Sequence, residues 1–211
     1  MKTDITIVLD RSGSMQGIAE ATITGVNSFI NAQRKVEGEC VVSLTQFDDQ
    51  YDPIYTARPL QDVPELNGIT FVPRGMTALL DAIGRTITRT GERLAATHET
   101  RRPAKVIFVI MTDGAENVSK EYTRARVNEM IAHQRSKYSW EFVFLGANQD
   151  AIAVGASMGI PAASSMTYAA TAAGTASTFA STSNYVSNLR AGHVAAFSDS
   201  DRISANSGSS S

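Results

Sequence analysis

The sequence predicts an α/β fold: a Rossmann-like, three-layer, doubly wound and mostly parallel sheet with helices on both faces. Ile5 to Leu9, Val106 to Met111 and Phe142 to Leu145 are nearly continuous apolar runs, as expected of strands covered on both faces. Between them, apolar residues recur at helical spacing, at Ile18, Val26, Phe29 and Ile30, then Leu80, Ile83, Ile87 and Leu94, then Val127, Met130 and Ile131. Strand therefore alternates with helix, the order that produces a parallel sheet with right-handed crossovers.

Taken along the chain, the first strand closes at Asp10 and the first helix follows it. A second strand, Val41 to Phe47, leads through Asp48-Asp49-Gln50-Tyr51-Asp52-Pro53 to Ile54 to Ala57, which reads as a hairpin to an antiparallel edge strand. Pro59, Pro64, Gly68, Pro73 and Gly75 punctuate a long connection, often a functional feature, before the Leu80 to Leu94 helix. After Leu145, Gly-Ala-Asn-Gln-Asp leads into a short helix that Gly159-Ile160-Pro161 ends, and Ser165 to Tyr168 supplies a last edge strand. Ala169 to Ala191 is rich in Ala, Thr and Ser, with Phe179, Val186 and Leu189 spaced for one helical face that packs on the sheet. From Ser198 the composition turns to Ser, Asp, Asn and Gly without apolar periodicity. The expected division is a domain over residues 1–193 and a flexible Ser-rich tail over 194–211. The expected strand order is 3-2-1-4-5-6.

A chain of 211 residues can bury one sizeable core. With 43% hydrophobic and 19% charged residues it is an ordinary globular composition. A formal charge of -2 supplies no electrostatic reason for nucleic acid or an anionic membrane to be the main partner. The lone Cys40 cannot form an internal disulfide, and the start shows no secretory segment, so the chain reads as cytoplasmic. No apolar run approaches the roughly 20 residues needed to cross a bilayer, so direct membrane insertion is not expected.

The chemistry concentrates in three places. Asp10 ends the first strand, and Ser12 and Ser14 follow in a Gly-containing turn that can aim a carboxylate and two hydroxyls at one point. All are oxygen donors, which suits a hard cation such as Mg²⁺ that keeps several waters. In isolation the three residues fit a turn and helix cap equally well. Thr77, in Arg74-Gly75-Met76-Thr77-Ala78-Leu79-Leu80, stands at a helix start with its hydroxyl available, and its bland reading is also a cap. Asp113 follows the fourth strand in Met111-Thr112-Asp113-Gly114. In a sheet of order 3-2-1-4-5-6 strands 1 and 4 are neighbours at the switch point, where ligands bind beyond the carboxyl ends. Asp10 and Asp113 are then side by side, on strands about 4.8 Å apart.

These residues, Asp10-x-Ser12-x-Ser14, Thr77 and Asp113, resemble the metal-ion-dependent adhesion site of von Willebrand factor type A domains, in the family's order and context. The similarity spans about Thr3 to Leu189 and is closer to small intracellular bacterial and phage members than to adhesive ectodomains, an impression to which Phe144-Leu145-Gly146-Ala147-Asn148 adds. The resemblance implies that Ser12, Ser14 and Thr77 coordinate Mg²⁺ directly and that Asp10 and Asp113 act directly or through water, with Mn²⁺ or Ca²⁺ as possible substitutes. It also implies that an Asp or Glu of a protein partner completes the coordination.

The leading expectation is a non-catalytic, Mg²⁺-dependent protein-binding module. A metal-dependent phosphohydrolase using Asp10 as phosphoryl acceptor is the enzyme alternative, but the acid expected two residues later is Ser12. A structural domain with a stabilising ion is the third reading. His98, His133 and His193 are too scattered for zinc, and solvated or capping roles suit them better. Asp48, Asp49 and Asp52 lack EF-hand spacing and fit a turn. Arg101 and Arg102 form a small basic spot at a loop. Asp81, one turn beyond Thr77, fits a supporting contact to the site or a helix-end charge.

Overall fold

The computed structural model describes residues 2–147 and 149–207. Asn148 and residues 208–211, on which two of the sequence readings partly fall, lie outside the described residues.

Six strands form one sheet in the order β3-β2-β1-β4-β5-β6: β1 (Thr3–Asp10), β2 (Cys40–Phe47), β3 (Tyr51–Pro59), β4 (Lys105–Thr112), β5 (Glu141–Ala147) and β6 (Ser165–Tyr168). All neighbours are parallel except β2 and β3, which are antiparallel across the short 48–50 turn. The expected order, the antiparallel edge and the alternation with helices are all present. The helices are α1 (Ala19–Arg34), α2 (Leu79–Ala96), α3 (Arg124–Tyr138), α4 (Ala151–Ser157), α5 (Ala172–Arg190) and α6 (Asp199–Ala205).

Side chains alternate across each strand, so the apolar runs divide between two cores. Ile5, Ile7 and Leu9 of β1, with Ile107, Val109 and Met111 of β4, face α1 and α5, where Val26, Phe29, Phe179 and Val186 cover them. Phe108 and Ile110, with Phe142 and Phe144 of β5, face α2 and α3, where Ile83, Ile87, Val127 and Ile131 close the second core. α1 and α5 approach closely because Gly25 has no side chain: a Cβ there would overlap the Phe179 ring.

The expected flexible tail over 194–211 is corrected at Phe197 and α6 (Asp199–Ala205), which pack on the domain. Phe197 is only 6% exposed and packs on Tyr185 with ring centres 4.8 Å apart, and its N–H donates to Ala163 O at 2.9 Å. α6 begins with a capping box between Ser198 and Asp201, whose carboxylate also accepts from Ser181 Oγ of α5 at 2.8 Å. Arg202 donates to Ser165 O and Ala162 O, and Ala205 O accepts from Ala169 N, so α6 is tied to the β6 edge. The Ser/Asp-rich composition that reads as a tail is that of a short capped helix that buries Ala205 alone and is preceded by the buried Phe197, too few apolar positions to create periodicity.

Deleting residues 194–211 is therefore expected to lower the unfolding free energy by about 2–4 kcal/mol, from the lost burial of Phe197 and Ala205 and the lost α6 contacts. Urea denaturation of the full and shortened chains measures it, and unchanged midpoints would mean that the segment contributes nothing.

Candidate metal centre

The carboxyl ends of β1 and β4 lie side by side at the centre of the sheet. Leu9 pairs with Met111, so Asp10 is level with Thr112, and Asp113 begins the loop one residue further on. Asp10 is 0% exposed: Oδ1 accepts from Ser12 N at 2.7 Å and Oδ2 from Thr112 Oγ1 at 2.5 Å. The first bond curls the chain into the 3₁₀ turn Gly13–Ile18, which brings Ser14 back over the strand ends. Ser12 Oγ lies 3.1 Å from Ser14 Oγ, which donates to Asp113 Oδ1 at 2.6 Å.

Thr77 reaches the same point from the head of α2. It is buried, its N–H donates to Asn117 Oδ1 at 3.0 Å, and its carbonyl accepts from Asn117 N at 3.1 Å. Gly114 marks where the donors meet. A Cβ built on it would stand 3.0 Å from Thr77 Oγ1, 3.5 Å from Ser14 Oγ and 3.9 Å from Ser12 Oγ. The structure thus gathers all five residues singled out in the sequence, and a side chain at position 114 would fill the cradle they make. Among the described residues no group of three His, Cys, Asp or Glu gathers to hold a metal, so this hydroxyl-rich set is the candidate.

The donor spacing suits a small octahedral cation. With Mg–O distances of about 2.0–2.1 Å, adjacent oxygens of such a shell lie about 2.9 Å apart. The Ser12–Ser14 and Ser14–Asp113 separations of 3.1 and 2.6 Å bracket that edge. Ser14 is exposed, as are Gly13, Gly75 and Met76, so one side of the cradle opens outward.

Several supporting residues were not marked as such by the sequence. Thr112 holds Asp10 and also bonds Gly114 O and N, at 3.0 and 3.2 Å. Asp48, read as part of a turn, accepts from Arg11 Nε and Arg74 Nε at 2.9 Å each and from Gln50 N at 2.6 Å. Arg11 also pairs with Asp52, so the cations of this acidic cluster are arginines. Asp48 O accepts from Ala78 N, Arg11 O from Arg74 N and Gly75 O from Gly13 N, which binds the three loops around the cradle together. Gly75 has φ +66, a backbone conformation that favours glycine, and a Cβ there would displace the Asp49 carboxylate. Asp81, which the sequence did offer as a supporting contact or a helix-end charge, accepts from the Lys120, Glu121 and Tyr122 amides and pins the loop after Asp113. Away from the site, His98 caps a 3₁₀ turn and Arg102 donates to the Thr97 and Ala95 carbonyls at the end of α2.

Burial sets the electrostatics. It raises Asp10 to about 6, against the lowering effect of the Thr112 and Ser12 bonds, with Asp113 adding a smaller upward push. Asp113 is likewise raised by burial, against its bond from Ser14. Both carboxylates are costly to ionise without a nearby positive charge. Because its folded value is raised, Asp10 adds stability below about pH 4 that is lost as pH rises through about 6. In metal-free buffer the Asp10→Asn variant is therefore expected to match the parent near pH 3.5 and to exceed it by about 3 kcal/mol above pH 7. Chemical denaturation across this range in EDTA checks it. A variant less stable at neutral pH would show that Asp10 is ionised at no cost.

A family model for the von Willebrand factor type A domain matches residues 4–189. Comparison with curated proteins finds no match. Among solved structures, proximal thread matrix protein 1 from the mussel byssus superposes with a TM-score of 0.60 at 14% identity, over 88% of this chain and 46% of that one. Another structure of that protein, with a zinc-occupied MIDAS motif, matches with a TM-score of 0.60 at 14% identity, over 85% and 46% of the two chains. The ArnB paralog VWA2 from Sulfolobus acidocaldarius matches at 0.53 and 13% identity, over 84% and 44%. At such identities these likenesses establish the fold alone, and the chain spans less than half the length of these structures. On the extent of the family match, together with the sheet order, the chain belongs to the von Willebrand factor type A domain family.

Proposed function

We propose that this chain is a non-catalytic, Mg²⁺-dependent protein-binding module. Ser12, Ser14 and Thr77 would hold the ion through their hydroxyls, with Asp10 and Asp113 acting directly or through water, and Mn²⁺ or Ca²⁺ could substitute. The observation that carries this reading is the convergence of three hydroxyls on one point beside Asp113, at separations that suit an octahedral oxygen shell. The ion supplies a positive charge that offsets the two costly carboxylates and leaves a position toward solvent. A partner's Asp or Glu would complete that position, gaining a strong attraction to the cation where neighbouring loops exclude water.

The environment of Asp10 favours recognition over phosphoryl transfer. An acceptor carboxylate needs an exposed oxygen, whereas both oxygens of Asp10 are engaged and out of contact with solvent.

Two measurements test the proposal. Mg²⁺ at about 100 times its dissociation constant should stabilise the parent by about 2.7 kcal/mol, and Thr77→Ala and Asp113→Ala should lose most of this. Affinity capture from the native host with Mg²⁺ should recover a protein that EDTA or the Asp113→Ala bait does not. Identical prey under all three conditions would exclude a metal-bridged contact, and metal-dependent stability without metal-dependent prey would leave the ion a structural role only.

A further inference from the structure

The half of the sheet under α2 is not an ordinary core face. Toward α2, β1 presents Asp4, Thr6, Val8 and Asp10, and β2 presents Ser43, Thr45 and Phe47; only Val8 and Phe47 of these join the apolar cluster. Sheet faces beneath helices are normally apolar, because polar groups taken from water cost free energy unless bonded. α2 answers this stretch with Thr86, Arg89, Thr90 and Arg93 instead of aliphatic side chains. Between the helix and the β3 edge lies a cavity of about 350 Å³, whose walls include these four residues, Thr6, Ser43 and Thr45.

Its donors are incompletely used. Thr6 Oγ1 is buried and has no hydrogen-bond partner among the described residues. Ser43 Oγ accepts from Ala57 N at 2.8 Å, which leaves its own proton to donate. Arg93 lies 2.8 Å from the buried carboxylate of Asp4, close enough to be neutralised but not aligned as a hydrogen bond. Arg89 lies 5.8 Å from the centre of the Tyr51 ring and has no carboxylate partner among the described residues. Glu92, at the rim, is the opposing charge. Thr6 stands four residues before Asp10, about 13 Å along β1, and none of the five candidate metal ligands lines the cavity.

We infer that this cavity is a second binding site, for a small oxyanion of the phosphate class, with Arg89 as the charged anchor and the Thr6, Thr45 and Thr90 hydroxyls as donors. A tetrahedral oxyanion offers several acceptors in a small volume, which matches a cavity lined by an arginine and several hydroxyl-bearing residues. Such a site acts independently of the cation proposed for the carboxyl ends of β1 and β4. A phosphate group can reach it as the free ion or on a phosphorylated biomolecule.

The test is a ¹H–¹⁵N NMR titration of the full chain in EDTA with inorganic phosphate and, separately, with O-phosphoserine. Saturable shifts of the Thr6, Thr45 and Thr90 amides are expected. Arg89→Ala should weaken binding at least about tenfold, the scale of a lost charge-assisted hydrogen bond. Thr45→Val should weaken it less, and Glu92→Gln should tighten it by removing the opposing charge. Tighter binding of O-phosphoserine would point to a phosphorylated biomolecule, and tighter binding of inorganic phosphate to the free ion. Shifts that stay linear with concentration for both probes, or saturable shifts unchanged in Arg89→Ala, would overturn the inference and leave a solvent-filled cleft. Arg89 is exposed, so its variant should retain the fold, and the spectrum itself reports that.

Discussion

The buried carboxylate of Asp48 is the contact on which the site end of the sheet depends. A charge out of contact with solvent is tolerable only if it is paired and hydrogen-bonded, and Asp48 receives Arg11, Arg74 and the Gln50 amide together. Those partners belong to three different segments: the turn after β1, the long connection before α2, and the β2–β3 hairpin. The Asp48 carbonyl adds the start of α2 through Ala78. Burial pushes the Asp48 carboxyl up, but the bonds from Arg74, Gln50 and Arg11 outweigh it and hold the group below the usual carboxylate range. Its charge therefore persists at neutral pH, and the loops that carry Ser12, Ser14 and Thr77 share one anchor.

Around the cradle the balance is the reverse. Asp10 and Asp113 are buried beside hydroxyls, not beside arginines, and both are pushed up. The contrast within one end of the sheet separates structural acids, which carry their counter-charges in the chain, from acids left without one. This division is what the proposed cation would resolve. Thr112 belongs to the same design, since it fixes the Asp10 carboxylate on one side and the backbone of Gly114 on the other.

The polar stretch beneath α2 extends this logic along β1. Alternate residues of one strand supply Asp4, Thr6 and Asp10 to the α2 side, while Ile5, Ile7 and Leu9 build the opposite core. The strand therefore stabilises the fold with one face and carries chemistry on the other. Burial on both sides makes these polar groups depend on partners within the fold: Arg93 neutralises Asp4, Ser12 and Thr112 donate to Asp10, and Thr6 has none among the described residues.

The layered fold, the sheet order and the five converging residues were legible in the sequence because each has a local signature. Strands buried on both faces are continuous apolar runs, helices show a 3.6-residue period, and Asp10-x-Ser12-x-Ser14, Thr77 and Asp113 fall where strands end or helices begin. α6 escaped because two anchors, Phe197 and Ala205, make no period. Thr6 escaped because one hydroxyl inside an apolar run does not interrupt it, and Asp48 because a turn acid and a buried hub look alike in one dimension. What the chain determined by itself was which residues lie on which elements. Only the tertiary structure decided which arginine neutralises which acid and which polar atoms are left unpaired, because those depend on contacts between residues 26 to 102 positions apart, such as Arg74 with Asp48 and Asp10 with Thr112.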